Sequence, residues 1–153
     1  MAANDPPLPP GFTRDSTIRI DAQGGIWHDG QPVAHQGLAE AFARWLDVDE
    51  ETGRYIVRNT VNWVYILVDD APLVVRSVAV EDGAIVLALS DGTREPLVQA
   101  TLRVDDLDVP YCDVRGGKLP ARFLPRAAFA LLEALGPAAE SLPRAEHGAA
   151  RRG

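Results

Sequence analysis

A single cysteine, Cys112, occurs in the 153 residues, so no disulfide forms within the chain, and a lone thiol suits a reducing cytosol. No run of about 18 apolar residues occurs, so no helix of the chain is expected to span a membrane. The opening Met1-Ala2-Ala3-Asn4-Asp5-Pro6 lacks the basic stretch and apolar core of a signal peptide. Positive charge is short: 15 Lys and Arg stand against 22 Asp and Glu, a net charge of −7. That argues against non-specific binding to nucleic acid and to anionic membranes, while leaving room for a local basic pocket. There is no phosphate-cradling glycine loop, no Gly-x-Ser-x-Gly elbow and no Walker lysine. The histidines, His28, His35 and His147, have no zinc spacing. Asp47, Asp49, Glu50 and Glu51 start like a calcium loop. Thr52 and Arg58 then stand where that loop needs Gly and Glu, so a solvated turn is expected. No metal or cofactor is expected.

What is present is ordinary for a globular chain: 46% hydrophobic and 24% charged residues. The length suffices to bury roughly 70% of the unfolded surface, in one compact unit or two small packed subdomains. Four prolines, Pro6, Pro7, Pro9 and Pro10, mark residues 1–14 as a disordered leader. Residues 137–153, poor in large apolar side chains, read as a disordered tail. Between them, Thr17 to Val33 reads as a three-stranded meander turned at Gly24-Gly25 and Asp29-Gly30. Leu38, Ala41, Phe42, Trp45 and Leu46 give the apolar stripe of a helix. Trp63 to Val68 reads as one central strand, apolar on both faces. Leu73–Val80 and Ala84–Leu89 flank the hairpin signal Asp82-Gly83. Pro125 opens a last helix with Ala128, Leu131, Leu132 and Leu135 as its stripe, stopped by Gly136-Pro137. Phe42 and Phe129 are expected to be core residues of the two helices.

The two helices and the hairpins before them overlay at a shift of 87 residues. Gly30 then falls on Gly117, Phe42 on Phe129, His28 on Arg115 and His35 on Arg122. This is a strand–turn–strand–helix motif used twice, or a coincidence of composition.

Few residues suggest chemistry. Cys112 reads as a buried strand cysteine, with no helix N-terminus to activate it. Asp69 and Asp70 are neighbours and should point to opposite faces, so they do not form one acid–base pair. Trp45 and Trp63 read as core. Trp27, beside His28 between glycine turns, is either core or the wall of a pocket.

Three segments carry a family likeness. Gly25-Ile26-Trp27-His28-Asp29-Gly30-Gln31-Pro32-Val33, Val68-Asp69-Asp70-Ala71-Pro72, and Val114-Arg115-Gly116-Gly117-Lys118-Leu119-Pro120-Ala121-Arg122 with Arg126 and Phe129 resemble the bacterial family catalogued as domain of unknown function 1285. The likeness runs over about residues 17–135. It implies an α+β fold of two packed subdomains with a repeated motif. The second half would be antiparallel β with a C-terminal helix, superficially pleckstrin-homology-like, with a binding site where the halves meet and a part in signal transduction. The corresponding subdomains are residues 15–68 and 69–136. The chain departs from the family at Asn59-Thr60-Val61-Asn62, where Thr-Pro-Val-Glu is usual, and at Leu73, where Phe is usual.

The leading expectation is a non-catalytic, cytoplasmic binding module that takes a small anionic group in the cleft between subdomains. Arg115 and Arg122 are its principal contacts, joined by Trp27, His28, His35 and Asp70. Arg115 precedes a glycine turn that lets a ligand come close, and Arg122 precedes a helix N-terminus. The arginines could instead pair with Asp113, Asp69 or Asp70. The alternatives are an enzyme using Asp70 with His28 or His35 as acid and base, and a scaffold for a protein partner. Neither nucleic acid nor membrane is an expected partner.

Overall fold

The computed structural model describes residues 13–145. Arg19–Ile20 (β1), Ile26–His28 (β2) and Gln31–Pro32 (β3) form the antiparallel meander. The turn before β2 needs Gly24: its φ is +84°, and an added Cβ would lie 2.6 Å from Val74 Cγ2, so this turn lies directly on the second half. Helix α1 covers Gln36–Arg44. Leu46–Val48 (β4), Tyr55–Arg58 (β5) and Trp63–Tyr65 (β6) make a three-stranded antiparallel sheet. Leu67–Val68 (β7) runs parallel to β1 and completes a four-stranded sheet.

The second half is one six-stranded sheet. Leu73–Glu81 (β8) and Ala84–Leu89 (β9) form the hairpin around Asp82-Gly83, both at positive φ. Arg94–Pro96 (β10) extends it. Arg103–Val104 (β11), Pro110–Val114 (β12) and Leu119–Phe123 (β13) make a second meander, whose β13 pairs in parallel with β8. Helix α2, Pro125–Leu135, packs on β8 and β13. The architecture is α+β, mostly sheet with two helices. One apolar cluster runs from Ile20 and Ile26 through Leu46 and Val57 to Leu73, Leu87, Phe123 and Leu131.

Several expectations are corrected. Trp63 to Val68 is not one strand. β6 pairs with β5, β7 pairs with β1, and the chain changes sheet at Ile66, which leaves Leu67 58% exposed. Helix α1 ends before its expected stripe does: Trp45 is its C-cap and is exposed, and Leu46 is buried as a strand residue. Phe129 is not core. It is 67% exposed on the outer face of α2, together with Leu132, and the helix buries Ala127 and Leu131 instead. Where a disordered tail was expected from residue 137, Gly136–Ser141 is 3-10 helix, Leu142 packs on the core, and Val104 N–H donates to Pro143 O at 2.9 Å. Arg14 is also docked, its carbonyl accepting from Tyr65 N–H at 2.7 Å. Residues 1–12 and 146–153 lie outside the described residues.

The acidic turn is not solvated throughout. Asp49 is buried and organises it, accepting from Glu51 N–H at 3.1 Å, Thr52 Oγ1 at 2.8 Å and the Tyr65 hydroxyl at 3.0 Å. Burial alone would raise this carboxyl, but the bonds from Thr52, Tyr65 and Glu51 outweigh it and bring it to about 2. The same burial and the Asp49 carboxylate push the Tyr65 phenol up.

Two outcomes follow from this packing. Leu131→Ala should cost about 2–5 kcal/mol, while Phe129→Ala should cost under about 1 kcal/mol, both read from urea midpoints. The Asp49 carboxyl lies below its ordinary 3.8 in the folded state, so it stabilises the fold above that pH and the contribution is lost as pH falls towards 2. Asp49→Asn should therefore be less stable than the wild type at pH 7, and the gap should close on acidification through that window.

Candidate functional site

The parallel pairing of β8 with β13 sets the site. It places Arg122 opposite Val74, and the β12–β13 hairpin places Tyr111 opposite Arg122. Residues in register share a face, so Tyr111 and Arg122 stand side by side on the face turned away from Cys112 and Ala121. Asp70, in the turn that leads into β8, reaches both. Its Oδ2 accepts from the Tyr111 hydroxyl at 2.5 Å and lies 3.4 Å from Arg122 Nη1. Ala71, Tyr111 and Val109 form a small apolar cluster beside them.

The electrostatics are lopsided. Asp70 is 4% exposed, and its second oxygen, Oδ1, is buried without a donor among the described residues. An acceptor left in that state costs about 1–3 kcal/mol. Burial and the Asp70 carboxylate together push the Tyr111 phenol well above its ordinary range, so Tyr111 is a fixed donor. Arg122 has one acceptor, Asp70, among the described residues, and its side chain is 23% exposed. A guanidinium carries five N–H donors, so most of this fork is uncommitted.

Arg115 is committed. It occupies φ +54° at the turn between β12 and β13. Its guanidinium donates to Ala43 O at 2.6 Å, Leu46 O at 2.9 Å and Asp91 Oδ2 at 2.6 Å. Asp91 is buried. Burial would raise its carboxyl, but the hydrogen bonds from Thr93 and Arg115 hold it below the usual range. Arg115 thus serves as a tie between the halves and offers no free fork to a ligand. Three residues of strand, roughly 10 Å, separate its end of the hairpin from Arg122.

The other expected residues bond to other partners. His35 is the N-cap of α1, its Nδ1 accepting from Leu38 N–H at 3.2 Å. His28 is exposed, with Nε2 3.7 Å from Asp29. Trp27 is half-buried. Its Nε1 donates to Asp21 at 2.9 Å, and the Arg19 guanidinium lies 5.0 Å from its ring centroid. Arg19 also pairs with Asp69 at 2.5 Å, so Asp69 and Asp70 do serve different partners. The overlay of His28 on Arg115 and His35 on Arg122 does not bring these side chains onto shared partners: His28 lies against Asp29, His35 caps α1, Arg115 bonds Ala43, Leu46 and Asp91, and Arg122 bonds Asp70. Sequence reasoning missed Tyr111, whose signal was its place beside Cys112 on the strand facing Arg122. Among the described residues no three His, Cys, Asp or Glu side chains cluster as a metal set would. No helix of the described residues is long and apolar enough to cross a membrane.

The chain is of the α+β class, with two antiparallel meanders in separate sheets, each extended by one parallel strand. No protein-family model matches the sequence, and no curated protein matches it. Two solved structures do. A DUF1285 family protein from Silicibacter pomeroyi DSS-3 is 24% identical, with a TM-score of 0.67 over 78% of this chain and 69% of that one. A DUF1285 family protein from Shewanella baltica OS155 is 18% identical, with a TM-score of 0.68 over 83% of this chain and 98% of that one. The fold is therefore that of DUF1285 family proteins.

Arg115→Ala leaves the Asp91 carboxylate buried and unpaired and should cost about 3–5 kcal/mol in urea unfolding. A wild-type midpoint for this variant would show that the halves are not held by this contact.

Proposed function

We propose that the protein is a non-catalytic cytosolic binding module that takes a small anionic group at Arg122, with Asp70 and Tyr111 as its supporting residues. One observation carries the reading: among the described residues, a buried Asp70 Oδ1 without a donor stands beside an arginine with one acceptor. A guanidinium recognises carboxylate or phosphate oxygens through paired N–H bonds. The Asp70 oxygen calls for a donor. A ligand with an anionic oxygen next to an N–H or O–H satisfies both. The short Tyr111 bond holds the other Asp70 oxygen still.

Binding without turnover also fits the histidines. An acid–base reading needs His28 or His35 at Asp70, and neither bonds to it. The Cys112 thiol, pushed up to about 12 by burial and the nearby Asp113 carboxylate, is not a nucleophile at neutral pH. A module that binds without consuming its ligand reports that ligand's concentration, which is the sense in which a signalling role belongs to this reading. The scaffold alternative is favoured by Phe129 and Leu132, exposed one turn apart on α2.

The test is a thermal-shift titration with phosphate, simple carboxylates and α-amino acids. A ligand that binds only the native state raises its melting temperature. Arg122→Gln with Asp70→Asn in one chain removes both charges and avoids leaving one buried alone. This double variant should fold and lose about 1.5–3 kcal/mol of ligand affinity. Wild-type stabilisation in the double variant would overturn the site.

A further inference from the structure

Helix α2 has two faces, and the sheet uses one of them. Ala127 and Leu131 are buried in the core cluster. Phe129 lies two residues from each, about 200° round the helix, so it points away from the sheet and is 67% exposed. At about 100° per residue, Arg126, Phe129, Leu132 and Glu133 fall within an arc of about 120°. All four are exposed. The outer stripe is thus a phenyl ring and a leucine set between an arginine and a glutamate.

Two features separate this stripe from an ordinary solvated face. The outward side of a surface helix is normally polar, and here an aromatic ring occupies its centre. The charges also run against the helix dipole. Arg126 stands in the first turn and Glu133 in the last, with no acid in the first turn and no base in the last. The dipole favours the opposite signs at those ends, so this pair does not serve the stability of α2. Among the described residues neither side chain makes an ion pair. Water solvates both charges in a single copy, and what distinguishes them is their placement.

That placement is self-complementary. Arg126 and Glu133 lie about 10 Å apart along the helix axis, and the midpoint falls between Phe129 and Ala130. A two-fold axis through this midpoint lays a second α2 antiparallel on the first. Arg126 of each copy then stands level with Glu133 of the other, beside the negative end of the other helix dipole. Phe129 lies half a residue from the axis and meets its counterpart there. Packed helices lie about 8–10 Å apart, a gap that the rings and the long charged side chains bridge. The stripe carries one charge of each sign, so two chains of net charge −7 meet through a neutral patch. A different protein would have to match this spacing, whereas a second copy matches it by symmetry.

We propose that the outer face of α2 is a docking surface for the α2 of a second copy, packed antiparallel about a two-fold axis at Phe129 with an Arg126–Glu133 pair on either side. The surface involves none of Arg122, Asp70 and Tyr111. A pair of 11-residue helices falls below the about 1,200 Å² of stable interfaces, so the dimer is weak and reversible.

The test is sedimentation equilibrium of the full chain from about 10 μM to about 1 mM, where a monomer–dimer equilibrium should appear with a dissociation constant on the order of 100 μM. Arg126→Glu opposes like charges at both ends and should raise that constant at least about tenfold. Arg126→Glu with Glu133→Arg restores opposite charges and should return it to within about threefold of the wild type. Both substitutions suit the helix dipole, so α2 keeps its fold. Phe129→Ser should be monomeric throughout while keeping the wild-type circular dichroism. A wild type that stays monomeric at the highest concentration would overturn the proposal and leave the face to a different protein. So would a dimer that survives Phe129→Ser, or a charge swap that fails to restore what the single reversal lost.

Discussion

The tie made by Arg115 is the contact on which the rest depends. Its guanidinium takes a carbonyl in the last turn of α1 and the first carbonyl of β4 from one half and the buried Asp91 carboxylate from the other. The backbone there is left-handed, a conformation that costs a long side chain roughly 1–3 kcal/mol. Three charge-assisted bonds in a partly desolvated site offset that. Lys118 adds a bond to Asp47 at 3.1 Å across the same seam, where an exposed pair adds little. With the end of α1 held in this way, Phe42 and Trp45 stand over the β5–β6 turn and line an aromatic crevice with Trp63.

The two arginines of the β12–β13 hairpin show how one strand pair sorts similar residues into different work. Arg115 stands at the turn, where a carbonyl at the end of α1, one at the start of β4 and the Asp91 carboxylate converge on its guanidinium. Arg122 stands mid-strand on the outer face. It shares one aspartate with a tyrosine that bonds it more closely. The first arrangement engages both terminal nitrogens of the guanidinium and ties the two halves together. The second leaves donors on the arginine and an acceptor on the aspartate uncommitted, and binding needs such groups.

Much of the fold was legible in the residues. Asp82-Gly83 between apolar strands specified its hairpin, and Pro125 with Gly136 bounded α2, because those signals act over a few residues. Trp63 to Val68 misled, because a continuous apolar run looks alike whether it lies in one sheet or passes between two. Phe129 misled for a related reason. Helical spacing identifies a stripe, but the packing of α2 on β8 chose Ala127 and Leu131 as its buried edge.

By itself the sequence determined the class of the fold, the turns, the single thiol and the acidic balance, all properties of local pattern or composition. It also singled out Arg122 and Asp70. Only the tertiary structure decided that these two meet at Tyr111, that Arg115 is consumed by the seam, and that Trp45 lines a crevice and does not fill the core. Those outcomes depend on which strands pair and in what register. Pairing is settled by the burial of all faces at once, so no single segment contains it.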